Sequence, residues 1–99
     1  MENASKDKNQ VILEGTIVNV GETNQTPTGK YCYLMLNIIQ QKNQKILQEN
    51  IEIKLFNGLV NLAKDKLHLN VGSRLSVVAN LQNRNNRQIV VAQRIEKIN

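Results

Sequence analysis

The chain has 99 residues, a formal net charge of +5, 40% apolar residues and 3% aromatic residues. This length suits one domain with a single hydrophobic core and excludes two. The basic excess is spread along the chain and indicates nucleic acid or another acidic surface as the partner, with a generic basic protein as the alternative. The single cysteine excludes an internal disulfide, and no apolar run approaches the roughly 18 residues of a membrane span.

The start of the chain is polar and charged, without apolar periodicity, so we expect residues 1–10 to form a disordered N-terminal arm ahead of a domain spanning residues 11–99. Val11 to Val20 is predicted to be the first strand, and its interior Gly15 indicates a bulge or a sharp bend. Residues 21–29 are rich in turn-forming residues and predict a loop that ends in a tight turn.

Two extended segments with a polar break between them predict a long antiparallel hairpin. The first, Lys30 to Gln40, has an aliphatic face, which should be the core side, and a face that carries Tyr31 and Tyr33. The break is residues 41–45, and the second segment runs from Ile46 to Phe56. The aliphatic face of the first segment consists of Cys32, Leu34, Leu36 and Ile38. The lone cysteine is therefore expected to be a small buried apolar residue.

The stretch from Ile51 to Phe56 shows this alternation most clearly. Ile51, Ile53 and Leu55 fall on one face, which indicates a half-buried strand. Phe56 falls on the polar face, beside a lysine. Because exposing a large ring to water is unfavourable, we expect a partner to use Phe56.

A short helix is predicted after this strand. Asn57-Gly58 ends the strand and can cap the helix, and apolar residues then recur at helical spacing from Leu59 to Leu67, for about three turns. Lys64 and Lys66 are expected on its exposed side.

Two further strands complete the domain. Gly72-Ser73 turns the chain into an alternating run, Leu75 to Leu81, and the polar, cationic residues 82–87 form a hairpin turn before the last strand, Gln88 to Glu96. The residues of the last strand that are expected to face inward are Ile89, Val91 and Ile95. Five strands with one short helix between the third and the fourth predict a mainly β protein with the OB-fold, a small Greek-key barrel.

Five stretches resemble bacterial single-stranded DNA-binding proteins, and their order and spacing extend the resemblance from Val11 to Asn99. They are Val-Ile-Leu-Glu-Gly-Thr-Ile at 11–17, Thr-Pro-Thr-Gly-Lys at 26–30, Leu-Phe-Asn-Gly-Leu-Val-Asn-Leu-Ala at 55–63, Val-Gly-Ser-Arg-Leu at 71–75 and Val-Ala-Gln-Arg-Ile-Glu at 91–96. The short length and the compact turn at residues 82–87 are more similar to primosomal replication protein N, a dimeric relative in the same superfamily. The resemblance implies that Phe56 stacks on DNA bases.

The sequence departs from the larger family in two ways. The tryptophans that this family uses for stacking are missing, and polar residues such as Asn43 and Asn50 occupy the corresponding hairpin positions. The family also recruits repair and replication enzymes through an acidic tail, whereas this chain ends at Ile-Glu-Lys-Ile-Asn, so recruitment by that route is not expected.

We expect a surface that holds single strands by stacking bases on aromatic rings and by placing cations along the phosphates. Tyr31, Tyr33 and Phe56 are the only Phe, Tyr or Trp rings in the chain. The alternative role for Phe56 is packing in a subunit interface or under a loop, and for the tyrosines it is covering their neighbours on the sheet face. Arg84 and Arg87 contact phosphates or belong to a solvated turn. The expected nucleic-acid-binding residues are Lys30, Tyr31, Tyr33, Lys42, Lys45, Lys54, Phe56, Arg84 and Arg87.

No catalytic or metal site is expected. His68 has no second histidine or carboxylate at ligand spacing, and the 8 acidic residues form no recognisable set of nucleophile, base and orienting group. The phosphate-binding loop motif of nucleotide hydrolases is absent. We therefore predict no enzyme activity, no cofactor, no metal and no small-molecule substrate.

The residues favour a cytoplasmic protein, without a membrane partner, that binds single-stranded DNA without sequence specificity. The resemblance implies a role in replication, restart or mobile-element maintenance, together with replication proteins. A homodimer is expected, with a homotetramer as the alternative. This expectation rests on the resemblance to a dimeric relative and on the edge strand Val11 to Val20, which is apolar on both sides and leaves Ile12, Val18 and Val20 for a neighbour. Two alternatives stay open: a protein-interaction subunit of a replication or primosome complex with little affinity for DNA, and an RNA-binding OB module.

Overall fold

Six β-strands and one short helix make up residues 9–98, the part of the chain that the structure, a computed structural model, describes. In chain order they are β1 (Gln10–Val20), β2 (Asn24–Thr26), β3 (Gly29–Lys42), β4 (Lys45–Phe56), α1 (Gly58–Asn61) with a π-helical continuation (Leu62–Lys66), β5 (Arg74–Arg84) and β6 (Arg87–Ile98). Residues 1–8 of the expected N-terminal arm lie outside the described residues. Among the helical segments of residues 9–98, none combines the length and apolarity that crossing a membrane requires.

Five of the strands close into a barrel in the order β1-β5-β6-β4-β3, with β3 pairing back onto β1. Neighbouring strands are antiparallel except for β4 and β6, which are parallel. This strand order and the position of the helix are those of the OB-fold, so the predicted fold is confirmed.

The sixth strand, β2, was not predicted, because it lies within the expected loop at residues 21–29. It is three exposed residues long and pairs with the start of β3, Thr26 lying opposite Gly29. A segment this short and polar carries no alternation of apolar residues from which a strand could be recognised. With β2 counted, the helix lies between the fourth and fifth strands and not between the third and fourth as expected, although its place in the barrel is the same.

β1 changes partner along its length, which closes the barrel. It pairs with β5 from Gln10 to Thr16 and with β3 from Thr16 to Val20. At the crossing point a Cβ atom on Gly15 would lie 2.5 Å from the carbonyl oxygen of Asn37, so only glycine allows the two backbones to approach this closely. The expected bulge is present at Val18, three residues later than the glycine.

The core lies inside the barrel and under the helix, and period-two alternation along the strands predicts most of it. All four residues of the expected aliphatic face of β3 are buried. The buried apolar residues are Ile17, Cys32, Leu34, Leu36, Ile38, Ile53, Leu55, Val60, Ala63, Leu69, Leu75, Val77, Ala79, Ala92 and Ile95.

The predicted inward face of β6 is wrong in its first half. Arg94 lies opposite Val78 and Ala92 opposite Ala79, so Gln93 is an extra residue that bulges out of the ladder. A bulge reverses the alternation of side chains on either side of it. Consequently Val90 and Ala92 pack on the core in place of Ile89 and Val91, whereas Ile95, beyond the bulge, faces inward as expected.

The helix is fixed to the barrel by polar contacts at both ends. Asn57 was expected to cap the helix, but its side chain makes no capping hydrogen bond. Its Oδ1 atom instead accepts a hydrogen bond of 3.1 Å from the backbone N–H of Lys30. Lys64 was expected on the exposed side, but it is half-buried and its Nζ atom donates to the carbonyl oxygen of Gly21 at 2.8 Å. Lys66 is exposed as expected.

Both long hairpins turn through residues that have positive φ. Asn43 and Gln44 join β3 to β4 with φ angles of 51° and 64°, and Asn85 and Asn86 join β5 to β6 with the same pair of values. Two consecutive residues of this kind are characteristic of the type I′ turn, whose twist matches that of antiparallel strands. The polar breaks of the sequence are therefore shorter than expected, and the strands extend almost to the turn.

The outer half of the β3–β4 hairpin projects from the barrel as a two-stranded arm, residues 38–49. The pairing of β3 with β1 stops at Asn37, and the pairing of β4 with β6 involves Ile53 and Lys54, so in the described part of the chain the arm has no strand on either side. Ile39 and Ile46 on this arm are 61% and 69% exposed.

Cys32 is a core residue, as expected. Its side chain is fully buried, and burial raises the pKa of the Cys32 thiol above its ordinary value of 9.0, although the positive charge of Lys64 acts in the opposite direction. The thiol is therefore protonated and inert at neutral pH.

Candidate nucleic-acid interface

The three aromatic rings of the chain form one cluster on the outer face of the β3–β4 hairpin. The register places Tyr31 opposite Phe56 and Tyr33 opposite Lys54. The Tyr31 and Tyr33 ring centroids are 5.8 Å apart with the planes at 81°, and those of Tyr31 and Phe56 are 6.3 Å apart at 53°. All three side chains are half-buried, so each ring keeps an accessible part. Local alternation and the hairpin register together are sufficient to produce this cluster.

The ammonium group of Lys54 lies at the centre of the ring cluster. Its Nζ atom is 4.4 Å from the ring centroid of Tyr31, 4.8 Å from that of Phe56 and 5.5 Å from that of Tyr33. Contacts of this kind contribute about 0.5–1 kcal/mol at an exposed site. A positive charge is thereby held at the same place as the stacking surface.

Two clefts border the ring cluster. The larger, of about 560 Å³, separates β4 from the tip of the β5–β6 hairpin, and the smaller, of about 250 Å³, lies between that tip and the turn that follows β2. Lys54 and Arg84 line both clefts, so the two form one track that passes the rings. The larger cleft is lined by Tyr33, Asn50, Ile51, Glu52, Lys54, Arg84, Asn85, Arg87, Gln88, Ile89 and Val90.

The structure brings seven of the nine expected binding residues to this track. Lys30 lines the smaller cleft, and its Nζ atom donates to Oδ1 of Asn61 on the helix. Arg84 and Arg87 are exposed and pair with each other at the base of the Asn85-Asn86 turn. The seven residues are Lys30, Tyr31, Tyr33, Lys54, Phe56, Arg84 and Arg87.

The other two expected residues, Lys42 and Lys45, lie far from the rings. They pair with each other at the tip of the arm, where they flank the Asn43-Gln44 turn. Lys45 and Lys54 are nine positions apart along β4, a distance on the order of 30 Å. A ligand would have to extend along the whole arm to reach both ends.

Two residues of the larger cleft, Glu52 and Asn50, were not among the expected site residues. Both lie on the outer face of β4, at the same parity as Lys54 and Phe56. Strand alternation alone predicts their position on this face, but neither residue is aromatic or cationic, as expected binding residues are. The Nδ2 atom of Asn37 on β3 donates to Oδ1 of Asn50 on β4 at 2.9 Å and so links the two strands.

The chemistry of this track is suited to binding. Rings and cations lie side by side along it, an arrangement that can stack bases and neutralise phosphates. Within residues 9–98, no group of three or more His, Cys, Asp and Glu side chains is close enough to hold a metal ion.

A second exposed feature lies at β1. Its first half pairs with β5 along one edge, and in residues 9–98 no strand pairs with the opposite edge. Ile12 there is 71% exposed and Val18 is 41% exposed. Val20, which was also expected to be left for a neighbouring subunit, packs against the core instead.

Comparisons with known proteins identify the fold. No family model matches the sequence, and no curated protein matches it. Solved structures similar to the chain include the N-terminal domain of PriB from Thermoanaerobacter tencongensis, described as dimeric, with a TM-score of 0.73, 19% identity, and coverage of 92% of this chain and 97% of that one. They also include the small single-stranded DNA-binding protein of Streptomyces coelicolor, with a TM-score of 0.74, 15% identity and coverage of 95% and 96%. A third is the mitochondrial single-stranded DNA-binding protein Rim1 of Saccharomyces cerevisiae, with a TM-score of 0.76, 16% identity and coverage of 94% and 96%. The chain therefore has a PriB-like and SSB-like OB-fold, as the sequence resemblance implied.

Proposed function

We propose that the protein binds single-stranded DNA without sequence specificity, through the ring cluster and the two clefts beside it. The observation that carries the proposal is the position of Lys54, whose ammonium lies within 5.5 Å of all three ring centroids while its side chain lines both clefts. Stacking surface and positive charge are thus combined at one point, and both are what an unpaired polynucleotide requires. The similarity in fold to single-stranded DNA-binding proteins supports the proposal.

Base stacking supplies the part of the affinity that distinguishes single strands from duplexes. Each stacked base contributes about 1–3 kcal/mol, and in a duplex the faces of the bases are already covered by their neighbours. Tyr31 and Phe56 lie at the root of the hairpin, and both line the smaller cleft. The Lys54 ammonium leaves the rings when a base arrives and moves to an adjacent phosphate.

Phosphate contacts supply the salt-dependent part of the affinity. Four cations line the track: Lys30, Lys54, Arg84 and Arg87. If each neutralises one phosphate, log affinity falls with log salt at a slope of about −0.7 per contact, or roughly −3 in total. A strand long enough to follow the arm would add the contacts of Lys42 and Lys45.

Titration of a fluorescent oligothymidine at two salt concentrations tests the proposal. Binding that weakens at the predicted slope, with competition by single-stranded but not by double-stranded DNA, is the expected result. A flat salt dependence would contradict it. Competition by an RNA strand of equal length distinguishes DNA from RNA, since nothing in stacking or phosphate contacts alone recognises the 2′-hydroxyl group.

We further propose that the protein is a homodimer whose subunits meet at the open edge of β1. An unpaired edge that carries an exposed Ile12 is unfavourable in isolation and is suited to pairing with a second copy. The T. tencongensis PriB domain, which has a similar fold, is described as dimeric. Light scattering should give twice the monomer mass for the wild type and the monomer mass for Ile12→Lys, while a doubled dimer mass would indicate the homotetramer.

The cellular role we propose is replication, restart or mobile-element maintenance, together with replication proteins. One observation favours a second function, a protein-interaction subunit with little DNA affinity. Ile39, Ile46 and Leu47 expose apolar surface on the arm, which a protein partner would cover. Failure to bind any oligonucleotide in the same titration would favour this second function.

A further inference from the structure

We propose that Glu52, acting with Asn50, gives the larger cleft a preference for guanine over thymine. The inference rests on the proposed binding of single strands and concerns which bases the same cleft accepts. A carboxylate is an unexpected residue in a cleft for a polyanion, because it repels phosphates. Within this cleft the carboxylate of Glu52 can interact favourably only with a part of the ligand that carries hydrogen-bond donors.

The two walls of the cleft differ in chemistry. The β5–β6 hairpin contributes Arg84 and Arg87, and the β4 wall contributes Asn50, Glu52 and, on the ring side, Lys54. The arginines attract phosphates and the carboxylate of Glu52 repels them, so the sugar–phosphate backbone lies along the hairpin wall opposite Asn50 and Glu52 and approaches β4 only at Lys54. The bases then point toward β4, and their edges reach Glu52.

Asn50 presents an amide NH2 group as the donor, and Glu52 presents a pair of acceptors. The Oδ1 atom of Asn50 already accepts a hydrogen bond from Asn37, so Asn50 offers its amide N–H to a ligand. Glu52 offers two carboxylate oxygens and no donor. The two residues are separated by about 7 Å along one face of the strand, a distance that their side chains can bridge across one base edge.

Guanine matches this pattern better than thymine does. Its pairing edge carries one carbonyl oxygen beside two adjacent donors, N1–H and the N2 amino group, which fit an amide donor and a carboxylate. Thymine has a single N–H between two carbonyl oxygens, so a carboxylate gains one hydrogen bond and meets a repulsive oxygen. Bidentate pairs of this kind are the usual basis of base discrimination.

The experiment uses the full chain and strands of about 15 nucleotides, within the range that an OB-fold covers. A thymine strand is compared with strands in which alternate central thymines are replaced by guanine or by hypoxanthine, which lacks the N2 amino group. Alternation with thymine prevents guanine quadruplexes. Competition against a labelled thymine strand at constant salt gives the affinity ratios.

The wild type is expected to bind the guanine strand about fivefold more tightly than the thymine strand, the lower end of the range for a bidentate contact, with hypoxanthine between them. Glu52→Gln should abolish the advantage of guanine and leave thymine binding equal or tighter. Glu49→Gln removes the same charge from the same strand but on the opposite face, and should leave the ratio unchanged.

Equal affinity of the wild type for all three strands would overturn the inference and leave the proposed function intact. So would a guanine advantage that persists in Glu52→Gln. The comparison of guanine with hypoxanthine needs no variant, so it remains decisive even if a substitution affects folding. Failure of every strand to bind would overturn the proposed function as well.

Discussion

Replacing Phe56 by alanine should weaken binding of single-stranded DNA while leaving the fold intact. The ring lies on the outer face of β4, half-buried, with its centroid 6.3 Å from that of Tyr31 and 4.8 Å from the ammonium of Lys54. Its removal costs the stacking of one base, about 1–3 kcal/mol, which corresponds to a dissociation constant raised roughly 5- to 150-fold.

The cost to stability should be much smaller. Phe56 packs against Tyr31 across the strands but does not enter the buried core. Cross-strand aromatic pairs contribute about 0.2–1 kcal/mol, so the midpoint of thermal unfolding should fall by a few degrees at most. The variant should therefore be fully folded at room temperature.

Fluorescence anisotropy with a labelled oligothymidine measures the first effect, and circular dichroism during heating measures the second. Met35→Ala is the matched control, because Met35 is a half-buried apolar residue on the same face of the hairpin but lines neither cleft. It should bind like the wild type. Unchanged affinity in the Phe56 variant, or unfolding of that variant, would refute the assignment of this ring to the ligand.

Three further predictions concern charge, backbone and pH. Replacing both Arg84 and Arg87 by alanine should reduce the slope of log affinity against log salt by about 1.4 in magnitude, from roughly −3, as measured by oligonucleotide titrations at several salt concentrations. An unchanged slope would mean that these side chains are merely solvated. Gly15→Ala should lower the free energy of unfolding by several kcal/mol in a denaturant titration, since its Cβ atom would lie 2.5 Å from a backbone oxygen. Gly58→Ala is the control and should be neutral, because its Cβ atom would meet nothing within 4 Å. Because the pKa of Cys32 is raised in the folded state, the unfolded state loses the thiol proton at a lower pH than the folded state does. The free energy of unfolding should therefore fall as the pH rises above about 9, and more steeply than in Cys32→Val. The same pH dependence of unfolding in both proteins would contradict this.

Some features of the site follow from the sequence because they are local. Alternation along a strand has a period of two, so the side of the hairpin that carries Tyr31, Tyr33 and Phe56 could be read without any knowledge of the barrel. The two hairpin turns, rich in asparagine, adopt the left-handed conformations that this residue tolerates best among non-glycine residues. Glu52 could have been found by the same alternation.

Other features were missed because they depend on contacts between segments distant in sequence. The bulge at Gln93 shifts the inward face of β6, and nothing in the local pattern of that strand indicates where the extra residue falls. Lys64 reads as a surface residue of an amphipathic helix, yet the barrel brings the carbonyl of Gly21 within 2.8 Å of its ammonium. The three residues of β2 form a strand because the start of β3 offers them a partner.

The sequence by itself determined the five barrel strands, most of their apolar faces and the turns between them, since each depends on neighbours a few residues apart. It also placed the three rings on one side of a hairpin, because alternation along each strand and a short connecting turn are enough to do so. Only the tertiary structure decided that Arg84 and Arg87 stand beside Lys54 and that Lys42 and Lys45 do not. The reason is the closure of the barrel. It sets β6 parallel to β4 and so carries the tip of one hairpin to the root of the other, while the arm extends away from both.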